Sequence, residues 1–151
     1  YQNKWTGDRL SGEQLLSLIQ GMENNDLLTS ITHLLTGYIG SDSFCHAIVQ
    51  VHQKLKACNP NLVYVCDPVL GDHGSLYVPA SLVEIYVEEV IQRATILTPN
   101  AFELEMLSKR EKLKSEEDVF QACLDLHLRH GIPNIVVTSV DLESAALLDE
   151  D

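Results

Sequence analysis

The sequence lacks the short motifs that most often bind phosphate or carry a nucleophile. It has no Gly-x-x-x-x-Gly-Lys loop, no Gly-x-Gly-x-x-Gly turn and no Gly-x-Ser-x-Gly elbow. These absences exclude the P-loop NTPases, the dinucleotide-binding folds built on that glycine turn, and the serine hydrolases of the α/β-hydrolase type. A nucleotide site in this chain therefore has to be built from other groups.

Basic residues are scarce as well. The chain has ten Lys and Arg residues and 22 Asp and Glu residues, which gives a formal net charge of -12. A nucleic-acid-binding protein needs a basic face, and so does a protein that binds an anionic membrane surface. The charge argues against both partners, whereas it is compatible with a nucleotide whose phosphates are screened by a metal cation.

Cysteine and long apolar runs are also limited. The four cysteines form no Cys-x-x-Cys pair, and Cys66 and Cys123 fall in an apolar strand and an amphipathic helix. Free cysteine in such places is a small hydrophobe, as is typical of a reduced, intracellular protein. The apolar runs have strand length, which excludes a transmembrane helix, and no signal peptide opens the chain. We therefore expect a cytoplasmic protein.

Segments with helical and strand periodicity alternate along the chain. Helix starts are predicted at the capping residues Ser11, Ser41, Asn100 and Ser115, and at Pro79 as a first helical residue. Short apolar strands are predicted at residues 32–36, 62–66, 94–97, 134–137 and 145–148. Such alternation favours an α/β fold, with right-handed crossovers and a mainly parallel central sheet covered by helices on both faces. We expect residues 1–151 to form a single unit.

The most informative segment is Asp-Pro-Val-Leu-Gly-Asp at residues 67–72, directly after an apolar strand. Ligands bind at the carboxyl ends of strands in a parallel sheet, and two carboxylates there suit a hard cation and its phosphates. Asp, Pro and Gly are also ordinary turn formers. The segment alone therefore leaves both interpretations open.

Four predicted strands end in polar residues, and these ends should meet at one edge of the sheet: 36–38, 67–72, 98–100 and 138–139. Backbone N–H groups at the helix start near Asn100 would suit a phosphate, and Glu103 could bind a metal directly or through water. A capping box formed by Asn100 and Glu103 explains the same two residues without any ligand.

The six histidines show no tight metal-ligand spacing. We expect His46 and His52 to lie on a helix surface and His33 to lie in a strand. His73 follows the second acid of the 67–72 segment, and we expect it to be a loop residue.

Several segments together resemble the pyridoxal kinases of the ribokinase-like superfamily. They are Leu-Thr-Gly-Tyr at 35–38, the 67–72 segment followed by Leu-Tyr-Val-Pro at 76–79, Thr-Pro-Asn-Ala-Phe-Glu at 98–103, and Val-Val-Thr-Ser at 136–139. The Asp-Pro-Val element at 67–69 and the Thr-Pro-Asn element at 98–100 are shared with hydroxymethylpyrimidine kinases. The Gly-Asp pair followed by Leu-Tyr-Val-Pro points to the pyridoxal kinases. The resemblance implies a three-layer ribokinase-like α/β fold, incomplete in this chain.

The resemblance also implies an activity and its cofactors. The reaction would transfer the γ-phosphate of ATP to the 5′-hydroxyl of pyridoxal, pyridoxine or pyridoxamine, with a divalent cation (Mg²⁺ or Zn²⁺) and a monovalent cation (K⁺ or Na⁺). The implied metal-site residues are Asp67, Asp72, Thr98, Glu103 and Thr138. Within this set, Asp72 would bind the divalent metal, while Asp67 and Thr98 would help to hold the monovalent cation.

The nucleotide and the vitamer have implied contacts too. The residues that would line the ATP site are Asp67, Asn100, Ala101, Phe102, Glu103, Thr138 and Ser139. Tyr38 matches a tyrosine that contacts the vitamer ring. The resemblance further implies a homodimer for the full-length parent.

Two family features are not found in the sequence. The family's first strand is missing, and the Gly-Thr-Gly-Asp segment that supplies the anion hole and the catalytic base would lie beyond Asp151. We therefore assign no catalytic residue, and expect the parent to be a kinase and the isolated chain to be inactive. Two alternatives are a hydroxymethylpyrimidine kinase and a truncated, non-catalytic paralogue that acts as a binding module.

Overall fold

The structure is a computed structural model that describes residues 10–140. The helices are α1 (Gly12–Glu23), α2 (Asp42–Cys58), α3 (Ala80–Ile85), α4 (Ala101–Ser108) and α5 (Glu116–His130). The strands are β1 (His33–Thr36), β2 (Val63–Cys66), β3 (Gly71–Asp72), β4 (Ser75–Leu76), β5 (Ile96–Leu97) and β6 (Asn134–Ile135). A 3₁₀ turn (Leu28–Ser30) precedes β1, and α3 continues as a π turn (Tyr86–Val90) and a 3₁₀ turn (Ile91–Arg93).

The central sheet is parallel and has the strand order β1-β2-β5-β6. This arrangement confirms the α/β prediction and the four strands predicted within residues 32–137, although β5 and β6 are shorter than expected. The strand predicted at 145–148 lies outside the described residues. No helix within residues 10–140 is long and apolar enough to cross a membrane.

Local capping signals place most helix starts correctly. Ser11, Ser41, Asn100 and Ser115 each accept a hydrogen bond from a backbone N–H of the first helical turn. The prediction for Pro79 is wrong by one residue. Its ψ of 144° is extended, so Pro79 is the N-cap and α3 begins at Ala80.

A short antiparallel hairpin between β3 and β4 was not predicted. Its turn residues His73 and Gly74 both have positive φ, 47° and 75°, which matches the twist of a tight hairpin. Strands of two residues are too short to show alternation in a sequence, so only Gly74 signals the turn. The hairpin carries Asp72 and thereby fixes where this carboxylate lies.

One face of the sheet is buried beneath the connecting helices. Thr36, Cys66 and Leu97 are in register on this face, and all three are buried. The core that contains the strand residues also includes buried residues of α2, α3, α4 and α5. The strand order advances in one direction, so right-handed crossovers bring all these helices to the same face. On the opposite face, where helices were also predicted, Leu35 is 71% exposed.

The prediction that His52 lies on a helix surface is wrong. Its ring is partly buried, 5.4 Å from the ring of Tyr64, because this side of α2 faces the sheet. Burial, with the nearby charges of Arg93 and Lys56, lowers the pKa of His52. His46, in contrast, is exposed as predicted and lies 3.3 Å from the carboxylate of Glu89.

Candidate functional site

The four polar strand ends meet at one edge of the sheet, as the sequence predicted. The N–H of Asp67 donates to the carbonyl of Thr36 at 2.9 Å, which joins the end of β1 to the end of β2. The N–H of Thr98 donates to the carbonyl of Cys66 at 3.0 Å, and the N–H of Thr138 donates to the carbonyl of Pro99 at 2.9 Å. Backbone bonds therefore link all four ends in the order of the strands.

The segment between β2 and β3 makes a compact turn. Val69 has a φ of +32°, a backbone conformation that a β-branched residue rarely adopts. Gly71 is buried where no other residue fits, because a Cβ there would lie 2.3 Å from the carbonyl oxygen of Ser75 and 2.7 Å from the Phe102 ring. The turn is thus packed directly against the start of α4.

Asn100 and Glu103 connect the start of α4 to this turn. They form the predicted capping box, in which the Asn100 N–H donates to Glu103 Oε2 at 2.9 Å and the Glu103 N–H donates to Asn100 Oδ1 at 2.9 Å. Both side chains also reach the turn: Glu103 Oε1 accepts from the Leu70 N–H at 2.8 Å, and Asn100 Nδ2 donates to the Gly71 carbonyl at 2.9 Å. Sequence reasoning did not foresee these two long-range bonds.

Glu103 is a buried carboxylate, with 3% of its surface exposed. Burial raises its pKa, and the backbone N–H donors of Asn100, Leu70 and Gly71 oppose this shift. Both carboxylate oxygens therefore already face backbone donors. The N–H of Ala101 is engaged too, since it donates to the Ser139 carbonyl at 2.9 Å.

A cleft of about 770 Å³ opens beside the turn and the start of α4. It brings together four of the predicted site residues: Asp72, Ala101, Phe102 and Ser139. Its other lining residues are His73, Gly74, Glu105, Lys112 and Leu113. The remaining predicted residues do not line the cleft, namely Asp67, Thr98, Asn100, Glu103, Thr138 and Tyr38.

Those remaining residues lie at or next to the strand ends along the same edge of the sheet. Asp67 and Thr98 follow the neighbouring strands β2 and β5, and Thr98 Oγ1 donates to the Cys66 carbonyl at 3.5 Å. Burial raises the pKa of Asp67, and the nearby Thr98 hydroxyl opposes that shift. Thr138 adjoins Ser139 and is exposed. Tyr38 follows β1 and is 55% exposed.

Lys112 is the functional candidate that sequence reasoning missed. It is an exposed cation on the wall of a cleft that is also lined by the acidic residues Asp72 and Glu105. The available signal was the basic segment Lys-Arg-Glu-Lys-Leu-Lys at residues 109–114, which is unusual in so acidic a chain. A lysine at this place can approach an anionic ligand in the cleft as a point charge.

The donors at this edge fit a hard cation. No three His, Cys, Asp or Glu side chains in the described part of the chain come together as a preformed metal site. Mg²⁺ commonly uses only one or two carboxylates and completes its shell with water and phosphate oxygens. Asp72 suits that role, because it lines the cleft and its side chain is 41% exposed.

The sequence and the fold match those of known kinases. The sequence profile described as phosphomethylpyrimidine kinase matches residues 26–150. The chain belongs to this family. Within it, a pyridoxal kinase from Arabidopsis thaliana is 51% identical over 142 residues, which cover 94% of this chain and 45% of the relative. The chain thus spans less than half the length of the curated relatives that it matches.

Solved structures lead to the same group. A pyridoxal kinase from Entamoeba histolytica superposes with a TM-score of 0.83 and 32% identity, over 90% of this chain and 47% of that one. A pyridoxal kinase from Leishmania donovani, in complex with ADP and pyridoxamine, gives a TM-score of 0.85 and 27% identity, over 95% and 50% of the two chains. These matches confirm the ribokinase-like fold and the homology to pyridoxal kinases.

Proposed function

We propose that this chain forms the metal and nucleotide part of a pyridoxal kinase. The reaction is transfer of the γ-phosphate of ATP to the 5′-hydroxyl of pyridoxal, pyridoxine or pyridoxamine. The observation that carries the proposal is the cleft at the sheet edge, lined by Asp72, Ala101, Phe102 and Ser139, in a chain 51% identical to a pyridoxal kinase. A relative with 27% identity binds ADP and pyridoxamine, which supports both ligand classes.

The oxygen donors suit two cations. Asp72, at the mouth of the cleft, binds a divalent cation together with the nucleotide phosphates. Asp67, Thr98 and Thr138, at the neighbouring strand ends, would hold a monovalent cation through their oxygen atoms. Oxygen donors without a cluster of His or Cys within residues 10–140 favour Mg²⁺ over Zn²⁺.

Nucleotide and vitamer occupy neighbouring parts of the edge. Ala101, Phe102 and Ser139 line the cleft and would lie beside the phosphates. Tyr38, exposed after β1, offers an aromatic face to the vitamer ring. Asn100 and Glu103 act at the border of this site through the turn that they contact.

Phosphoryl transfer of this kind depends on positioning and on neutralising charge. A bound divalent cation supplies the neutralisation of the transferred phosphoryl group. This chain would hold that cation through Asp72, and Ala101, Phe102 and Ser139 would line the cleft around the phosphates. Lys112 adds a positive charge on the cleft wall. No described residue is assigned as the base that deprotonates the substrate hydroxyl.

The first test is isothermal titration calorimetry of the purified chain with Mg-ATP in potassium buffer. Circular dichroism checks in parallel that the chain is folded. We expect binding that Asp72→Asn weakens strongly and that Asp26→Asn, an exposed acid outside the cleft, leaves unchanged. A folded chain that binds no nucleotide would contradict the proposed site. The full-length product of the gene should then form pyridoxal 5′-phosphate from pyridoxal and ATP, and its failure to do so would contradict the proposed activity.

A second candidate is a hydroxymethylpyrimidine kinase, favoured by the description of the family profile that matches residues 26–150. Assays of the full-length product on pyridoxal and on hydroxymethylpyrimidine separate the two. A higher kcat/KM for pyridoxal supports the first candidate, whereas a higher value for the pyrimidine supports the second.

A further inference from the structure

The turn between the two site carboxylates is strained. Val69, midway between Asp67 and Asp72, has a φ of +32°. A β-branched side chain disfavours this backbone conformation, and it persists only where surrounding contacts enforce it. Free of such contacts, the turn would relax, and the separation of the two carboxylates would change.

The contacts that enforce the turn come mainly from α4. Glu103 Oε1 accepts from the N–H of Leu70, the residue after Val69, at 2.8 Å. Asn100 Nδ2 donates to the carbonyl of Gly71, one residue further on, at 2.9 Å. The N–H of Tyr77 also donates to the Leu70 carbonyl at 2.8 Å. These bonds hold both polar groups of the Leu70 backbone in place.

The geometry of Glu103 differs from that of a metal ligand. Its side chain is buried, it does not line the cleft, and each of its oxygens accepts a backbone N–H, from Leu70 on one side and from Asn100 on the other. Asp72, in contrast, lines the cleft and its side chain is 41% exposed. Only its Oδ1 accepts a backbone N–H, from the neighbouring residue His73 at 2.8 Å, so its carboxylate does not connect two distant segments. The carboxylate of Glu103 therefore joins two backbone segments of the protein to each other.

We propose that Glu103 is a positioning residue, whose carboxylate, with the amide of Asn100, holds the strained turn at Val69 and so sets the positions of Asp67 and Asp72. It does not itself bind the metal. The consequence for catalysis rests on the proposed kinase function. The effect on the turn does not depend on that function.

The first test measures the turn directly, by hydrogen exchange and mass spectrometry of the metal-free, full-length gene product. Glu103→Gln replaces one acceptor oxygen with an NH₂ group that faces a backbone donor. We expect exchange in the peptide covering residues 67–76 to rise by about tenfold or more in this variant. The matched control is Glu105→Gln on the same helix, whose carboxylate also accepts a backbone N–H, from Leu113 at 2.8 Å, but does not contact the turn. Unchanged exchange in Glu103→Gln, or an equal rise in the control, would overturn the proposal.

The second test separates positioning from ligation. In Glu103→Gln we expect kcat to fall by about 10- to 100-fold, while the Mg²⁺ concentration for half-maximal rate stays within about twofold. Adding Val69→Gly removes the strain, so the turn keeps its conformation without Glu103 and part of the lost kcat returns. A large rise in the Mg²⁺ requirement with no rescue by Val69→Gly would instead identify Glu103 as a ligand and overturn the proposal.

The role of Glu103 can still be tested if the wild-type product is inactive or if Glu103→Gln does not fold. If the wild-type product phosphorylates no vitamer, the proposed function fails, and the exchange experiment still decides the role of Glu103. If Glu103→Gln does not fold, Asn100→Ser replaces it, because serine retains a capping hydroxyl and loses only the bond to the Gly71 carbonyl. Faster exchange of the 67–76 peptide in Asn100→Ser supports the proposal, and unchanged exchange contradicts it.

Discussion

Two buried tyrosines behind the sheet edge should respond in opposite ways to the same substitution. The Tyr64 hydroxyl lies 3.0 Å from Thr36 Oγ1, and both residues are buried. Tyr86 is also fully buried, yet its hydroxyl has no hydrogen-bond partner among the described residues. Replacing either tyrosine with phenylalanine preserves the ring and its packing, so the difference between the two variants reports on the hydroxyl groups alone.

The magnitudes follow from the cost of burying a polar group. Tyr64→Phe removes a buried hydrogen bond and leaves the Thr36 hydroxyl without this partner, so we expect a loss of about 1–2 kcal/mol in the free energy of unfolding. Tyr86→Phe removes a desolvated hydroxyl that gains nothing in return, so we expect a gain of about 0.5–1 kcal/mol. With a urea m-value of about 1–3 kcal/mol/M, the midpoints of the two variants should differ by about 1 M.

The assay is equilibrium unfolding in urea, followed by circular dichroism. A double-mutant cycle with Thr36→Val isolates the bond to Tyr64, because valine has the shape of threonine without its hydroxyl. We expect Tyr64→Phe to cost little once Thr36 is valine. A Tyr86→Phe variant that loses as much stability as Tyr64→Phe would refute the reasoning, and so would a cycle without coupling.

Three further predictions concern the metal, the turn and pH. In the full-length product, Asp72→Asn should raise the Mg²⁺ concentration for half-maximal rate by about tenfold or more and change the affinity for pyridoxal little. Asp26→Asn is the control, and an unchanged Mg²⁺ concentration in Asp72→Asn would count against the site. Gly71→Ala should lower the free energy of unfolding in urea by about 1–3 kcal/mol, because its Cβ would lie 2.3 Å from a backbone carbonyl oxygen. Gly21→Ala in α1 has open space around its Cβ and should raise that free energy, so equal effects of the two variants would contradict this packing. Burial lowers the pKa of the His52 imidazole in the folded protein. The unfolded chain therefore protonates His52 at a higher pH than the folded protein does, and the free energy of unfolding should fall as the pH drops below about 6.5. His52→Phe should weaken this pH dependence, and an unchanged slope would show that other groups cause it.

The parts of the fold that were predictable from sequence depend on local chemistry. The capping side chains Ser11, Ser41, Asn100 and Ser115 bond N–H groups within three residues of themselves, so their effect can be recognised in a short window. The parallel sheet follows from the alternation of elements, and the shared edge of polar strand ends follows from the sheet.

The parts that were missed depend on contacts between distant residues. Nothing near Glu103 in sequence indicates that its carboxylate bonds Leu70, 33 positions away. The ring of His52 faces Tyr64 because of the rotation of α2 on the sheet, which a helical pattern gives only approximately. Lys112 reaches the cleft through the loop between α4 and α5, whose path is not encoded in any periodicity.

The capping box at α4 shows why the structural and functional interpretations of Asn100 and Glu103 are not alternatives. A capping box needs only one acceptor oxygen from Glu103, for the Asn100 N–H, and only one oxygen from Asn100, for the Glu103 N–H. Each side chain has a second polar atom, and in this structure both second atoms bond the turn that carries the site carboxylates. The same two residues therefore begin a helix and fix a strained loop against it. Serine at the first position would supply the cap alone, because it has no second polar atom with which to reach Gly71.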